Sequence, residues 1–213
     1  MGWAPTVGSV TVAPGAAAYG SGMPSQQPVL TVIVGSTRPG RVGLPVATWV
    51  AERARAHGAF DARLADLAEV ALPLLDEPHH PRLQRYEFEH TRRWSAIVDA
   101  SDAFVFVTPE YNHGMSAALK NALDYLSAEW ARKPGAIVSY GGVSAGLRAA
   151  GQLKQVLAAL QVPVVGGGVP IPMVRERVRN GAVEANEPMT KAVEAMLDEL
   201  VRWNEALTPL RRA

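Results

Sequence analysis

The sequence predicts an α/β fold in which five parallel strands form a doubly wound sheet, ordered 2-1-3-4-5, with helices on both faces. Three observations predict it. From Val29 onward, short apolar runs alternate with longer stretches of helical period, the pattern of successive strand–helix units. The runs at 29–34 and 103–108 are apolar almost throughout and rich in β-branched or aromatic residues, as parallel strands covered on both faces are. A length of 213 residues suits one domain with a buried sheet and is short for two.

Residues 1–28 are rich in Gly, Ala, Pro and Ser and lack both charge and periodicity. They bury too little apolar surface to offset ordering, so they read as a flexible extension preceding a domain over 29–213. Val29 to Val34 is the first strand. A helix follows over about 42–57, with Pro45 in its first turn and Gly58 as its stop. Residues 59–67 alternate as a second strand. The stretch 72–81, with Pro73, Pro78, Pro81 and the His79-His80 pair, is a loop, and 83–100 is helical. Ala103 to Thr108 is the third strand, closed by Pro109, which has no amide to give a ladder. Over 115–128, Leu119, Ala122, Leu123 and Leu126 share one helical face, with Lys120 and Asp124 one turn apart on another. Gly135 to Tyr140 is the fourth strand. A helix over 144–160, a fifth strand over 162–165 and a last helix over 188–207 complete the pattern.

Composition narrows the chemistry. With no cysteine, disulfides, thiolate nucleophiles and iron–sulfur clusters are excluded, so redox chemistry requires a cofactor. Lys and Arg total 21 against 20 Asp and Glu, which leaves no basic footprint for nucleic acid. No apolar run reaches the roughly 20 residues that span a bilayer, and no charged segment precedes an apolar stretch as in a secretory signal. A cytoplasmic protein with no membrane partner is expected. His79-His80 lacks the spaced further ligands of a zinc site, and neither Ser36 nor Ser144 sits in a Gly-x-Ser-x-Gly elbow.

In an open sheet of this order, ligands bind beyond the carboxyl ends of the strands where the order reverses, between the first and third strands. Three loops meet there. The first, Gly35-Ser36-Thr37-Arg38-Pro39-Gly40-Arg41-Val42-Gly43, joins a buried strand to a helix start, whose free amides and dipole favour an anion. Its hydroxyls and guanidinium groups suit a phosphate monoester. It has neither the Gly-x-Gly-x-x-Gly of a dinucleotide site nor the Gly-Lys-Ser/Thr of a P-loop. The alternative is a surface turn with solvated arginines. The second, Pro109-Glu110-Tyr111-Asn112-His113-Gly114, offers an aromatic ring, an amide and a permissive glycine against a planar ligand. His113 is a candidate proton donor, with a plain loop histidine as the alternative. The third, Tyr140-Gly141-Gly142-Val143-Ser144, presents backbone without side chains, and Ser144 is placed to cap the next helix.

These segments carry a resemblance. Val32-Ile33-Val34-Gly35-Ser36-Thr37-Arg38, the run from Val107 to Gly114 with Leu119-Lys120-Asn121-Ala122 downstream, and Ser139 to Gly146 are similar to the NADPH-dependent FMN reductase family over about 29–165. The resemblance implies a flavodoxin-like fold and non-covalent FMN, with NAD(P)H as co-substrate. It implies a phosphate site at Ser36, Arg38, Arg41 and the amides of Val42 and Gly43. It further implies that Pro109, Glu110, Tyr111, Asn112 and His113 line the flavin ring and that Tyr140, Gly141 and Gly142 close its other side. Many relatives have Ser-Asn where this chain has Val42-Gly43, which leaves the side-chain part of the phosphate cradle open. Relatives are commonly dimers or tetramers with the helix bearing Lys120 and Asp124 near the subunit contact.

The expected activity is hydride transfer from NAD(P)H through FMN to a small-molecule acceptor such as a quinone, flavin, azo or nitro compound, with no side chain acting as a nucleophile. The alternatives are a flavodoxin-type electron carrier, against which a net charge of +1 counts, and a non-catalytic flavin-binding module.

Overall fold

Three strands without a single exposed residue form the centre of the sheet: β1 (Val29–Val34), β3 (Ala103–Pro109) and β4 (Gly135–Tyr140). The computed structural model describes residues 27–212, so the expectation for 1–28 lies almost wholly outside the described residues. With β2 (Asp61–Asp66) and β5 (Val169–Ile171) these strands make a five-stranded sheet in the order β2-β1-β3-β4-β5, every neighbour parallel. The register sets Val32 beside Val105 and Val107 beside Val138.

Side chains alternate across the pleat, so each central strand feeds two cores. Leu30, Val32, Val34, Val105, Val107 and Val138 face α1 (Gly43–His57) and α7 (Glu187–Arg212). Ile33, Phe104, Phe106 and Ile137 face α3 (Glu89–Asp99), α4 (Ala117–Asp124) and α5 (Leu147–Ala159). The second core is aromatic, with the Trp130 ring at 5.0 Å from Phe104 and 5.9 Å from Trp94, both edge-on. Each buried indole N–H is satisfied, Trp94 by the Ala122 carbonyl at 2.9 Å and Trp130 by the Leu123 carbonyl at 3.3 Å.

Several elements depart from expectation, each for a visible reason. The helix expected from 83 begins at Glu89, because the Glu77 carboxylate takes the Glu87 and Phe88 amides at 2.8 and 3.1 Å and holds that segment extended. The helix expected over 115–128 is confined to α4, capped by Ser116, whose hydroxyl accepts from the Leu119 amide at 3.2 Å. The fifth strand does not lie at 162–165. That segment makes one bridge, Val164 to Gly135, and then leaves the sheet at Gly166-Gly167-Gly168. The Gly166 and Gly167 amides donate instead to the Glu199 carboxylate of α7, each at 3.0 Å, and pairing resumes at Val169 beside Val138. A short helix α2 (Leu67–Val70), a short helix α6 (Val174–Arg177) and a hairpin of β6 (Val178–Arg179) with β7 (Ala182–Val183) were not anticipated.

One buried carboxylate ties the 84–88 segment to the body. Glu129 is buried and accepts from the Tyr86 hydroxyl at 2.7 Å and the Ser95 hydroxyl at 2.8 Å. Burial alone would raise its carboxyl, but these donors outweigh burial and hold it below the usual value of 4.5. A group depressed in the folded state stabilises fully above its unfolded value and loses that contribution as pH falls through the folded one. The urea midpoint is therefore expected to drop as pH is lowered below about 4.5, and less steeply in Glu129→Gln. Equal slopes for the two proteins would contradict this.

Candidate functional site

The carboxyl ends of β1, β3, β4 and β5 surround one cavity of about 460 Å³ at the predicted edge of the sheet. Ser36, Arg38, Arg41 and Val42 reach it from the first loop, Pro109, Glu110 and Tyr111 from the second, and Tyr140, Gly141 and Gly142 from the third. The three loops are joined directly. The Ser36 and Tyr111 hydroxyls lie 3.0 Å apart, and the Ser116 hydroxyl at the head of α4 donates to the Gly35 carbonyl.

The arginines of the first loop differ in their partners. Arg41 pairs with Asp66 at the end of β2, whose side chain is 3% exposed and whose other oxygen accepts the Ala68 amide at 3.0 Å. Arg38 stands exposed at the cavity with no carboxylate partner among the described residues. The first loop is thus neither a plain solvated turn nor a set of equivalent cations.

Glu110 turns away from solvent, with its side chain 7% exposed. It accepts from Arg148 Nε at 2.7 Å, the Arg148 amide at 3.0 Å, the Ser144 hydroxyl at 3.2 Å and the Ala149 amide at 3.4 Å. Burial would raise its carboxyl, but the Arg148 guanidinium and the α5 amides prevail and hold it below 4.5. This corrects the expectation that Ser144 caps α5. Gly146 occupies that position at φ +76°, and Glu110 takes up two of the helix's free amides. A Cβ at Gly146 would lie 2.8 Å from the Tyr140 nitrogen and 2.9 Å from its carbonyl oxygen, so the third loop folds against β4 only with glycine there.

Gly43, Asn112 and His113 do not line the cavity. Gly43 begins α1. Asn112 and His113, at φ +49° and +68°, form the tip of a two-residue hairpin turn that Tyr111 and Gly114 close with two hydrogen bonds of 2.9 Å.

Gly40 and a fourth segment, Met173 to Glu176, also line the cavity and were missed. The segment follows β5 and is stitched to the third loop, since the Met173 and Val174 amides donate to the Gly142 and Gly141 carbonyls at 3.0 Å. Its absence from the sequence reading follows from placing the fifth strand early. Applied to Val169–Ile171, the same carboxyl-end rule leads to it.

Comparison with known proteins agrees with this geometry. The family model described as NADPH-dependent FMN reductase matches residues 28–175, which takes in the first three loops and the fourth segment as far as Arg175. The chain belongs to the NADPH-dependent FMN reductase family. An NAD(P)H-dependent FMN reductase of Schizosaccharomyces pombe is 40% identical over 77% of this chain and 82% of its own length. An NADPH azoreductase of a Bacillus species is 37% identical over 62% of this chain and 69% of its own. Among solved structures, a flavoenzyme NAD(P)H:(acceptor) oxidoreductase of Paracoccus denitrificans superposes with a TM-score of 0.68 at 24% identity, covering 84% of this chain and 98% of that one, a likeness of fold.

The exposed Arg38 guanidinium and the Ser36 hydroxyl line the cavity just before the start of α1, an arrangement that suits an anionic group. Gly141 and Gly142 line the cavity with bare backbone, and Tyr111 lines it half-exposed. The anionic tail and the flat ring of FMN fit this donor set.

Proposed function

We propose that the protein is an NAD(P)H:acceptor oxidoreductase that holds FMN non-covalently in the 460 Å³ cavity. The observation that carries the reading is one cavity lined by Ser36, by an exposed Arg38 with no carboxylate partner among the described residues, by the loop that leads into α1, and by the side-chain-free backbone of Gly141 and Gly142. Bound FMN supplies the chemistry, taking a hydride from NAD(P)H and passing electrons to the acceptor. Ser36, Arg38, Arg41 and the Val42 amide anchor the phosphate. Pro109 and Tyr111 of the second loop flank the ring, with Asn112 and His113 at the turn beyond the cavity, and Gly141 and Gly142 support it. Glu110 serves from behind, by fixing the second loop against α5.

The open face accounts for a small, flat acceptor. Tyr111, Val143, Leu147 and Met173 are all exposed around the second, third and fourth loops, an apolar rim suited to quinones, azo dyes and other aromatic acceptors. The azoreductase relative agrees with that class. No helix among the described residues is long and apolar enough to cross a membrane. We place the enzyme in the cytoplasm as a homodimer or homotetramer, with α4 and its exposed Lys120–Asp124 pair near the subunit contact.

Purified protein is expected to retain or take up one FMN per chain and to oxidise NADPH steadily when a quinone or azo dye is supplied. Protein that binds no FMN and leaves NADPH unconsumed with every acceptor would overturn the proposal.

A further inference from the structure

One cation at the cavity has no task in the flavin site. Arg41 is paired with Asp66, and Arg148 at the start of α5 with Glu110. Arg38 belongs to the first loop and the proposed phosphate site. Arg175 lines the same cavity, is exposed, and has no hydrogen-bond or ion-pair partner for its side chain among the described residues. It stands at the other end from Arg38. In the order β2-β1-β3-β4-β5, three strand intervals separate β1 from β5, about 14 Å at the usual spacing. The backbone that carries Arg175 is fixed there. Met173 turns the chain in the left-handed conformation at φ +47°, its amide and that of Val174 donate to the Gly142 and Gly141 carbonyls, and the Val174 side chain is buried in the core under α1 and α7. Arg175 follows directly, so an anchored backbone presents a solvated guanidinium beside the exposed, apolar side chains of Met173, Val143 and Tyr111. Glu176, also exposed at the cavity, makes no ion pair with it.

We infer that Arg175 selects the electron acceptor, favouring aromatic molecules that carry a sulfonate or carboxylate over neutral molecules of the same shape. The inference rests on the reading that this cavity holds FMN with an open face for the acceptor. An apolar rim bordered by one unpaired guanidinium is complementary to a flat ring with a single anionic substituent, the ring lying on the rim and the two oxygens of the anion meeting the fork of the arginine. The 2′-phosphate of NADPH is the competing occupant. That phosphate lies at the adenosine end of the dinucleotide, remote from the nicotinamide ring that gives up hydride, whereas Arg175 is two residues from the rim side chain Met173 on a segment bonded to the third loop.

Azobenzene-4-sulfonate and azobenzene-4-sulfonamide share a shape and differ in charge, so they separate recognition of the anion from recognition of the ring. Full-length, FMN-loaded protein in the oxidised state, without NADPH, is titrated with each by calorimetry. Wild type is expected to bind the sulfonate about fivefold more tightly, the scale of one partly solvated ion pair. Arg175→Gln is expected to remove that preference and Arg175→Glu to reverse it, and added salt to shrink it in wild type. Because the Arg175 side chain has no partner to lose, neither variant is expected to lower the melting temperature. A preference that survives both substitutions, that Arg38→Gln abolishes instead, or that wild type never shows, overturns the inference while FMN binding stands. The nicotinamides supply the second arm. The ratio of kcat/KM for NADPH to that for NADH is expected to change by less than about twofold in Arg175→Gln. A ratio that falls as far as the dye preference gives the guanidinium to the 2′-phosphate and overturns the assignment to the acceptor. Wild-type protein that takes up no FMN removes the underlying reading itself.

Discussion

Arg41→Ala is expected to lower the unfolding free energy of the flavin-free protein by about 3 kcal/mol, the scale set by leaving a buried carboxylate without its partner. The pair joins the first loop to the end of β2, with Asp66 3% and Arg41 18% exposed. Because the Asp66 carboxylate also accepts the Ala68 amide at the head of α2, it cannot turn outward to water without breaking that bond. Arg41→Lys keeps the charge but loses the planar fork of a residue that both pairs with Asp66 and lines the cavity, so it is expected to recover stability more than FMN affinity. Urea unfolding without flavin measures the first effect and FMN titration the second. An unchanged midpoint in Arg41→Ala, with an unchanged slope, would show that Asp66 is solvated and that the arginine acts on the ligand alone.

The sheet and its binding edge were legible in the sequence because the central strands are unambiguous. Six or seven consecutive buried positions leave no face for polar residues, so 29–34, 103–108 and 135–140 read as they fold. The three loops follow from that order, and ten of the thirteen residues assigned to them line the cavity. What stayed hidden depends on side chains reaching across elements. Glu110 reads as a charge beside an aromatic loop, and only the fold brings Ser144 and Arg148 to it. Glu199 diverts Gly166 and Gly167 from the sheet over 30 positions away in sequence, which moves β5 to Val169–Ile171 and with it the fourth loop. The β6–β7 hairpin did have a local signal. Asn180-Gly181, both at positive φ, is a common two-residue hairpin turn, but two-residue strands carry too little alternation to be seen.

Glu110→Ala is expected to lower kcat/KM about tenfold while costing about 1 to 2 kcal/mol of stability, the usual range for a lost helix cap. The stability cost is modest because Arg148 is largely exposed and water can take over its donors. The kinetic cost is larger because one carboxylate holds the second loop, and with it the cavity-lining Tyr111, to the start of α5. Small displacements between groups that orient two substrates are costly in rate. Glu110→Gln keeps the shape and the amide contacts but not the charge, and it is expected to fall between alanine and wild type. Acid distinguishes a charged clamp from a neutral one. The Glu110 carboxyl sits below its usual 4.5, so its contribution is complete above that pH, declines as pH falls from there through the depressed value, and is absent below it. The difference in melting temperature between wild type and Glu110→Gln should therefore be constant near neutrality and close as the solution is acidified below about 4.5. A difference that persists unchanged in acid would mean that the contacts hold through geometry without charge, and the loops would then owe their alignment to the Tyr111–Gly114 turn and the Ser36–Tyr111 contact instead.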